Sequence, residues 1–113
     1  MSNIRQVQNK SFFMLGERIK ELRAKLGISQ RELGAYIELD AAFISRVEKD
    51  EKPIKREHLK KLSEVLKIDE NELQKLWLAN KVYKVVADEE LAKDALMLAE
   101  QKVEYLKNTD YGK

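Results

Sequence analysis

Cysteine is absent from the chain, so neither a disulfide framework nor a thiolate metal site can form, which suits a reducing cytoplasm. Histidine occurs once, at His58 within "KREHLKKL", with no second imidazole or thiol to share a metal or make a nucleophile and base pair. The four glycines build no phosphate-cradling loop, and the carboxylates sit at helix caps or three to four residues from lysines, as in Glu17–Lys20 and Glu21–Lys25. An enzyme is therefore not expected, nor any catalytic residue, metal site, cofactor or small-molecule ligand. One proline and few glycines among 37% charged and 43% hydrophobic residues disfavour a sandwich or a disordered chain and favour an all-α soluble protein. No apolar run approaches the roughly 20 residues that cross a bilayer. The start, "MSNIRQVQNK", lacks the apolar stretch of a signal peptide, so no membrane association and a cytoplasmic location are expected.

What is present is size enough for one core, 113 residues, and an uneven charge. Residues 1–68 carry 15 Lys/Arg against 10 Asp/Glu, whereas residues 69–113 carry 7 against 10. The basic excess points weakly to a polyanion on the first part of the chain and to a different task for the acidic end.

Apolar periodicity predicts six helices. Leu15, Ile19, Leu22 and Leu26 form the stripe of a first helix ending at Gly27. Ser29 and Glu32 make a capping box for a short second helix that buries Leu33 and Ile37. Asp40 caps a third, with Phe43, Ile44 and Val47 inward, which stops before the polar segment "DEKPIK". A fourth runs from about Arg56 with Leu59, Leu62, Val65 and Leu66 inward. Asp69 and Glu72 form a second capping-box pair ahead of "NELQKLWLANKVYKVVA", and Asp88 caps the last helix, "EELAKDALMLAEQKVEYLKN".

The second and third helices are joined by almost nothing, so they cross steeply and the front of the third can project into a DNA major groove. The stretch "LGERIKELRAKLGISQRELGAYIELDAAFISRVEKDEKP" resembles the helix-turn-helix domains of the Cro and phage-repressor (XRE) family over roughly Leu15 to Leu76. The "SQ" opening the second helix, the Ile44, Ser45, Arg46, Val47, Glu48 pattern and the register of "VLKIDENEL" carry the likeness. The resemblance implies a five-helix, lambda-repressor-like domain with a C-terminal helical extension, bound to double-stranded DNA. In the family the first, second and sixth residues of the third helix commonly meet bases, and here those are Ala41, Ala42 and Arg46. Together with Ser45 they are the candidate base readers: alanine methyls can pack on thymine methyls, and Arg46 can span guanine O6 and N7. Gln30, at the first turn of the second helix, is a candidate phosphate contact, as are Lys49, Lys52, Lys55 and Arg56 behind the third.

Plainer readings stand beside these. Ala41 and Ala42 are also good helix formers, Arg46 can pair with Glu38 or Asp50, and the lysines can be a solvated charge run. Glu48 matches a recurrent acidic position and calls for an internal partner, Arg18 or Arg23. Two residues depart from the family: Glu38 stands where the turn usually has glycine, and Asp40 sets a carboxylate at the front of the third helix, where a cytosine N4 is a possible partner.

Beyond Leu76 the chain is too apolar for a solvated helix at Leu76, Trp77, Leu78, Val82, Tyr83, Val85 and Val86, and Ala92, Leu96, Ala99, Val103 and Leu106 repeat as a heptad seam. The seam serves either the chain's own core or a homodimer interface, for which Leu78, Val82, Val85, Leu96, Ala99, Val103 and Leu106 are the candidates. The expected organisation is a flexible arm over 1–11, a DNA-binding domain over 12–76, a dimerisation extension over 77–108 and a flexible tail over 109–113. The expected function is a dimeric, sequence-specific transcription regulator on an inverted-repeat operator, with restriction-modification control one option. An antitoxin-like protein that clasps a partner through its C-terminal helices is the alternative.

Overall fold

A computed structural model describes residues 14–108; the arm and tail expected at the two ends lie outside the described residues. Six α-helices occur in the order α1 (Leu15–Leu26), α2 (Gln30–Ile37), α3 (Ala41–Glu48), α4 (Leu59–Leu66), α5 (Glu70–Val86) and α6 (Ala92–Asn108). A single 3-10 turn, Arg56–His58, leads into α4, so the regular fourth helix starts later than its apolar pattern implies. No strand occurs among the described residues, and no helix there is long and apolar enough to cross a membrane.

Local chemistry sets most helix ends. Gly27 ends α1 with φ 71°, a left-handed conformation glycine adopts without strain. The Ser29 hydroxyl accepts from the Glu32 amide at 3.0 Å while Glu32 Oε1 accepts from the Ser29 amide at 2.7 Å, closing the capping box of α2. Asp40 Oδ1 accepts from the Phe43 amide at 2.8 Å at the front of α3. Two expected caps are corrected. Glu72 closes no box with Asp69; its carboxylate accepts from Arg18 Nη2 at 3.4 Å. Asp88 does not cap the last helix, because residues 87–91 form turns, with the Ala92 amide donating to the Glu89 carbonyl, and α6 begins only at Ala92.

The described chain forms two compact units, one ending at Asn80 and one beginning at Lys81. The first is built around Leu15, Ile19, Leu33, Ile37, Ile44, Val47, Ile54, Leu59, Leu62, Leu66 and Leu73, with Leu22, Phe43, Val65, Leu76 and Trp77 packed against this centre. Leu26, expected on the buried stripe, is 39% exposed in the last turn of α1, whereas Ile54, inside the segment read as polar, is 4% exposed. The second unit holds the end of α5, the turn after it and α6, which buries none of its residues.

The α2–α3 turn is the tightest part of the first unit. Glu38 takes φ 63°, ψ 40° there, the left-handed conformation that glycine usually supplies, and its side chain remains exposed. The closeness of the turn instead demands glycine one turn earlier: a Cβ on Gly34 would collide with the Leu39 carbonyl oxygen, just as one on Gly16 would meet the Val47 carbonyl at the α1–α3 crossing. Glu38→Gly should therefore stabilise the fold by ~0.5–1 kcal/mol, left-handed strain relieved less the extra entropy of unfolded glycine. Gly34→Ala should destabilise it by ~1–3 kcal/mol. Urea midpoints of the two variants against the parent chain check both signs.

Candidate nucleic-acid interface

Glu48, the last residue of α3, lies 4% exposed in the core, where an unpaired carboxylate would be strongly unfavourable. Three donors converge on it: Arg23 Nε at 2.6 Å, Arg23 Nη2 at 3.1 Å and Gln30 Nε2 at 3.0 Å. Arg23 Nη1 also donates to the Ile28 carbonyl at 2.9 Å, so one guanidinium ties α1, the α1–α2 turn and α3 together. The hydrogen bond to Glu48 raises the Arg23 pKa further, against the lowering effect of burial, and keeps the group charged. Of the two partners open to Glu48, Arg23 is the one used. Arg18 faces Glu21 at 3.0 Å and Glu72 instead.

This junction sets how α2 and α3 stand against each other and hence what α3 turns outward. Ala42 and Arg46 are exposed, Ala41 and Ser45 half-buried. The Arg46 guanidinium takes neither Glu38 nor Asp50 as partner and has no ion pair with any described residue, while Asp50 Oδ1 accepts from Asn80 Nδ2 at 3.4 Å. A flat, charged fork with five donors is thus left toward solvent on the outer face of α3. Lys49, Lys52, Lys55 and Arg56 follow, all exposed. The structure does not group the phosphate candidates alike: the Gln30 amide is engaged by Glu48, and Arg56 is held by α5, its Nε donating to Gln74 Oε1 at 2.9 Å and its guanidinium 4.9 Å above the Trp77 ring. Asp40 spends Oδ1 on its capping bond.

Sequence reasoning missed how α5 secures the chain leaving α3. Trp77 Nε1 donates to the Ile54 carbonyl at 2.8 Å, and the Asn80 amide bridges Asp50 to the first amide of α1, accepting from Leu15 N at 3.3 Å. The polar Asn80 within the apolar "LWLANKVY" was the one available signal. The candidate interface residues further on face solvent: Leu78 and Val82 are each 45% exposed, Val85 75%, Leu96 40%, Val103 54% and Leu106 45%, with Ala99 exposed as well.

The helix-turn-helix family model matches residues 19–73, a span covering α2, α3 and the Glu48 junction. A crystal structure of the P22 c2 repressor protein in complex with synthetic operator 9T, in the presence of Tl+, is similar to this chain at 34% sequence identity and a TM-score of 0.51, over 54% of this chain and 92% of that one. No curated protein sequence matches the chain. The chain belongs to the helix-turn-helix family of Cro and phage-repressor (XRE) type, a class of DNA-binding transcription regulators that are typically not enzymes.

Removing one member of the junction should expose its cost. Arg23→Ala leaves the Glu48 carboxylate buried with only Gln30 and should destabilise the first unit by ~3–5 kcal/mol, far more than Gln30→Ala. Thermal melts of the two variants compare the losses directly.

Proposed function

We propose that the protein is a sequence-specific transcription regulator that acts as a dimer on an inverted-repeat operator of double-stranded DNA. The observation that carries this reading is the outward face of α3, with its uncommitted Arg46 fork beside small Ala41, Ala42 and Ser45, held by the buried junction at Glu48. Likeness to a repressor crystallised on a synthetic operator supports it. In this reading the alanines admit close approach and pack on thymine methyls, Arg46 reads a guanine, and Lys49, Lys52 and Lys55 meet phosphates. Gln30 contributes to the same edge through the free amides at the front of α2 while its side chain stays on Glu48. A cytoplasmic location and the control of a restriction-modification system suit a regulator of this size.

Dimerisation is assigned to the extension because α6 and the end of α5 leave Leu78, Val82, Val85, Leu96, Val103 and Leu106 open to solvent. Such a run of exposed apolar side chains favours association. The same surface supports a second reading, an antitoxin-like module that clasps a different protein there and binds DNA to regulate its own operon.

Two measurements test the proposal. Arg46→Ala should cost ~1–3 kcal/mol on the preferred duplex and much less on random DNA. Equal losses on both duplexes would make Arg46 a phosphate contact. Sedimentation of the parent chain should give a dimer and that of the Leu96→Glu, Val103→Glu double variant a monomer with an unchanged first unit. A monomeric parent chain would remove the homodimer and favour a foreign partner.

A further inference from the structure

Among the exposed cations behind α3, Arg56 alone is held in a defined pose by the surrounding structure. Lys49, Lys52 and Lys55 have exposed side chains in no ion pair with a described residue, and each must lose its rotamer freedom on meeting an anion. Arg56 has its Nε bonded to Gln74 Oε1 at 2.9 Å and its plane 4.9 Å over the Trp77 ring. Gln74 is itself oriented, since its Nε2 donates to Glu70 Oε2 at 3.2 Å one turn back along α5, which leaves Oε1 turned to the arginine. Trp77 is fixed by its own donation to the Ile54 carbonyl at 2.8 Å, and Ile54 is buried in the core.

The guanidinium fork has two usable edges. Its Nε edge is taken by Gln74, whereas neither Nη atom donates to a described residue, so the outer edge is presented to solvent. Two parallel N–H groups on that edge match two oxygens of a phosphodiester. The aromatic face beneath limits tilt without neutralising the charge.

We propose that Arg56 is a pre-organised phosphodiester grip for duplex DNA, with Gln74 and Trp77 as its positioning residues. The proposal rests on the DNA-binding reading above and adds to it a division of labour: the lysines supply diffuse attraction, and Arg56 fixes the register of the duplex backbone against the segment that leaves α3. Glu70 acts at one remove, by keeping the Gln74 oxygen turned toward Arg56.

The test uses the full chain, with fluorescence anisotropy on its preferred duplex and on a random duplex across a series of salt concentrations, and a thermal melt for each variant. Arg56→Gln should flatten the log–log salt dependence by about 0.9 on both duplexes, the signature of one lost phosphate contact. Gln74→Ala should keep the parent salt slope, since the charge remains, yet weaken both duplexes about 2- to 10-fold because the arginine must now be ordered on binding. Arg56→Lys should behave like Gln74→Ala, with charge kept and the fork lost. Melting temperatures should change little, because a loss of affinity that merely followed a loss of stability would contradict a positioning role. An unchanged slope in Arg56→Gln would make the cluster a structural staple only, and full affinity in Gln74→Ala would show that orientation contributes nothing; either result overturns the proposal. A parent chain that binds neither duplex at any salt would instead defeat the DNA-binding reading itself, and this proposal with it.

Discussion

A carboxylate enclosed in an apolar core must find donors or lose its charge, and the arrangement of the first three helices follows from how Glu48 meets that requirement. Its three donors come from Arg23 in α1 and Gln30 at the start of α2, while Glu48 itself ends α3. If α2 slid along α3 by one residue, Gln30 would leave the carboxylate; if α1 rotated, Arg23 would lose both Glu48 and the Ile28 carbonyl. Such a junction adds little net stability compared with a well-packed apolar one, but it makes other registers costly. Positional definition is what a helix that reads base edges needs, because a bidentate contact tolerates little displacement.

The turn between α2 and α3 shows the same preference for position over comfort. Glu38 sits in a left-handed conformation with no glycine to relieve it, and Gly34 gives up helix propensity so that the Leu39 carbonyl can come close. On the far side of α3, Asp50 again takes a positive φ, 61°, and is met by Asn80, while Trp77 binds the Ile54 carbonyl. Both ends of α3 are therefore fixed by residues distant in sequence, and its exposed face needs no partner within the described chain.

Features governed by near neighbours were legible in the sequence. The Ser29–Glu32 box, the Asp40 cap and the Gly27 stop each depend on a few adjacent residues, and the apolar periods of α1 to α4 located most of the core. The resemblance to the repressor family was legible for the same reason, since its pattern is concentrated between Ser29 and Glu48. What escaped was tertiary. Arg18 and Arg23 were equal candidates for Glu48 until the packing of α1 on α3 separated them. Ile54 was hidden by its charged neighbours, and the Trp77 and Asn80 bonds reach partners 23 and 65 residues away, beyond any local pattern. Asp69 and Glu72 had the spacing of a capping box, but Arg18 took the glutamate. Exposed positions such as Arg46 carry no folding signature at all, so their role came from chemistry and family likeness.

Selection of binding sites from a pool of random duplexes by the full chain tests the central claim most directly, because it presupposes neither an operator nor a partner. The account predicts enrichment of inverted repeats whose half-sites lie about 10 base pairs apart, centre to centre, or a multiple of that, as two recognition helices ~34 Å apart on one face of the duplex require. Recovery of sequences with no common motif, or of single half-sites in random orientation and spacing, would contradict it.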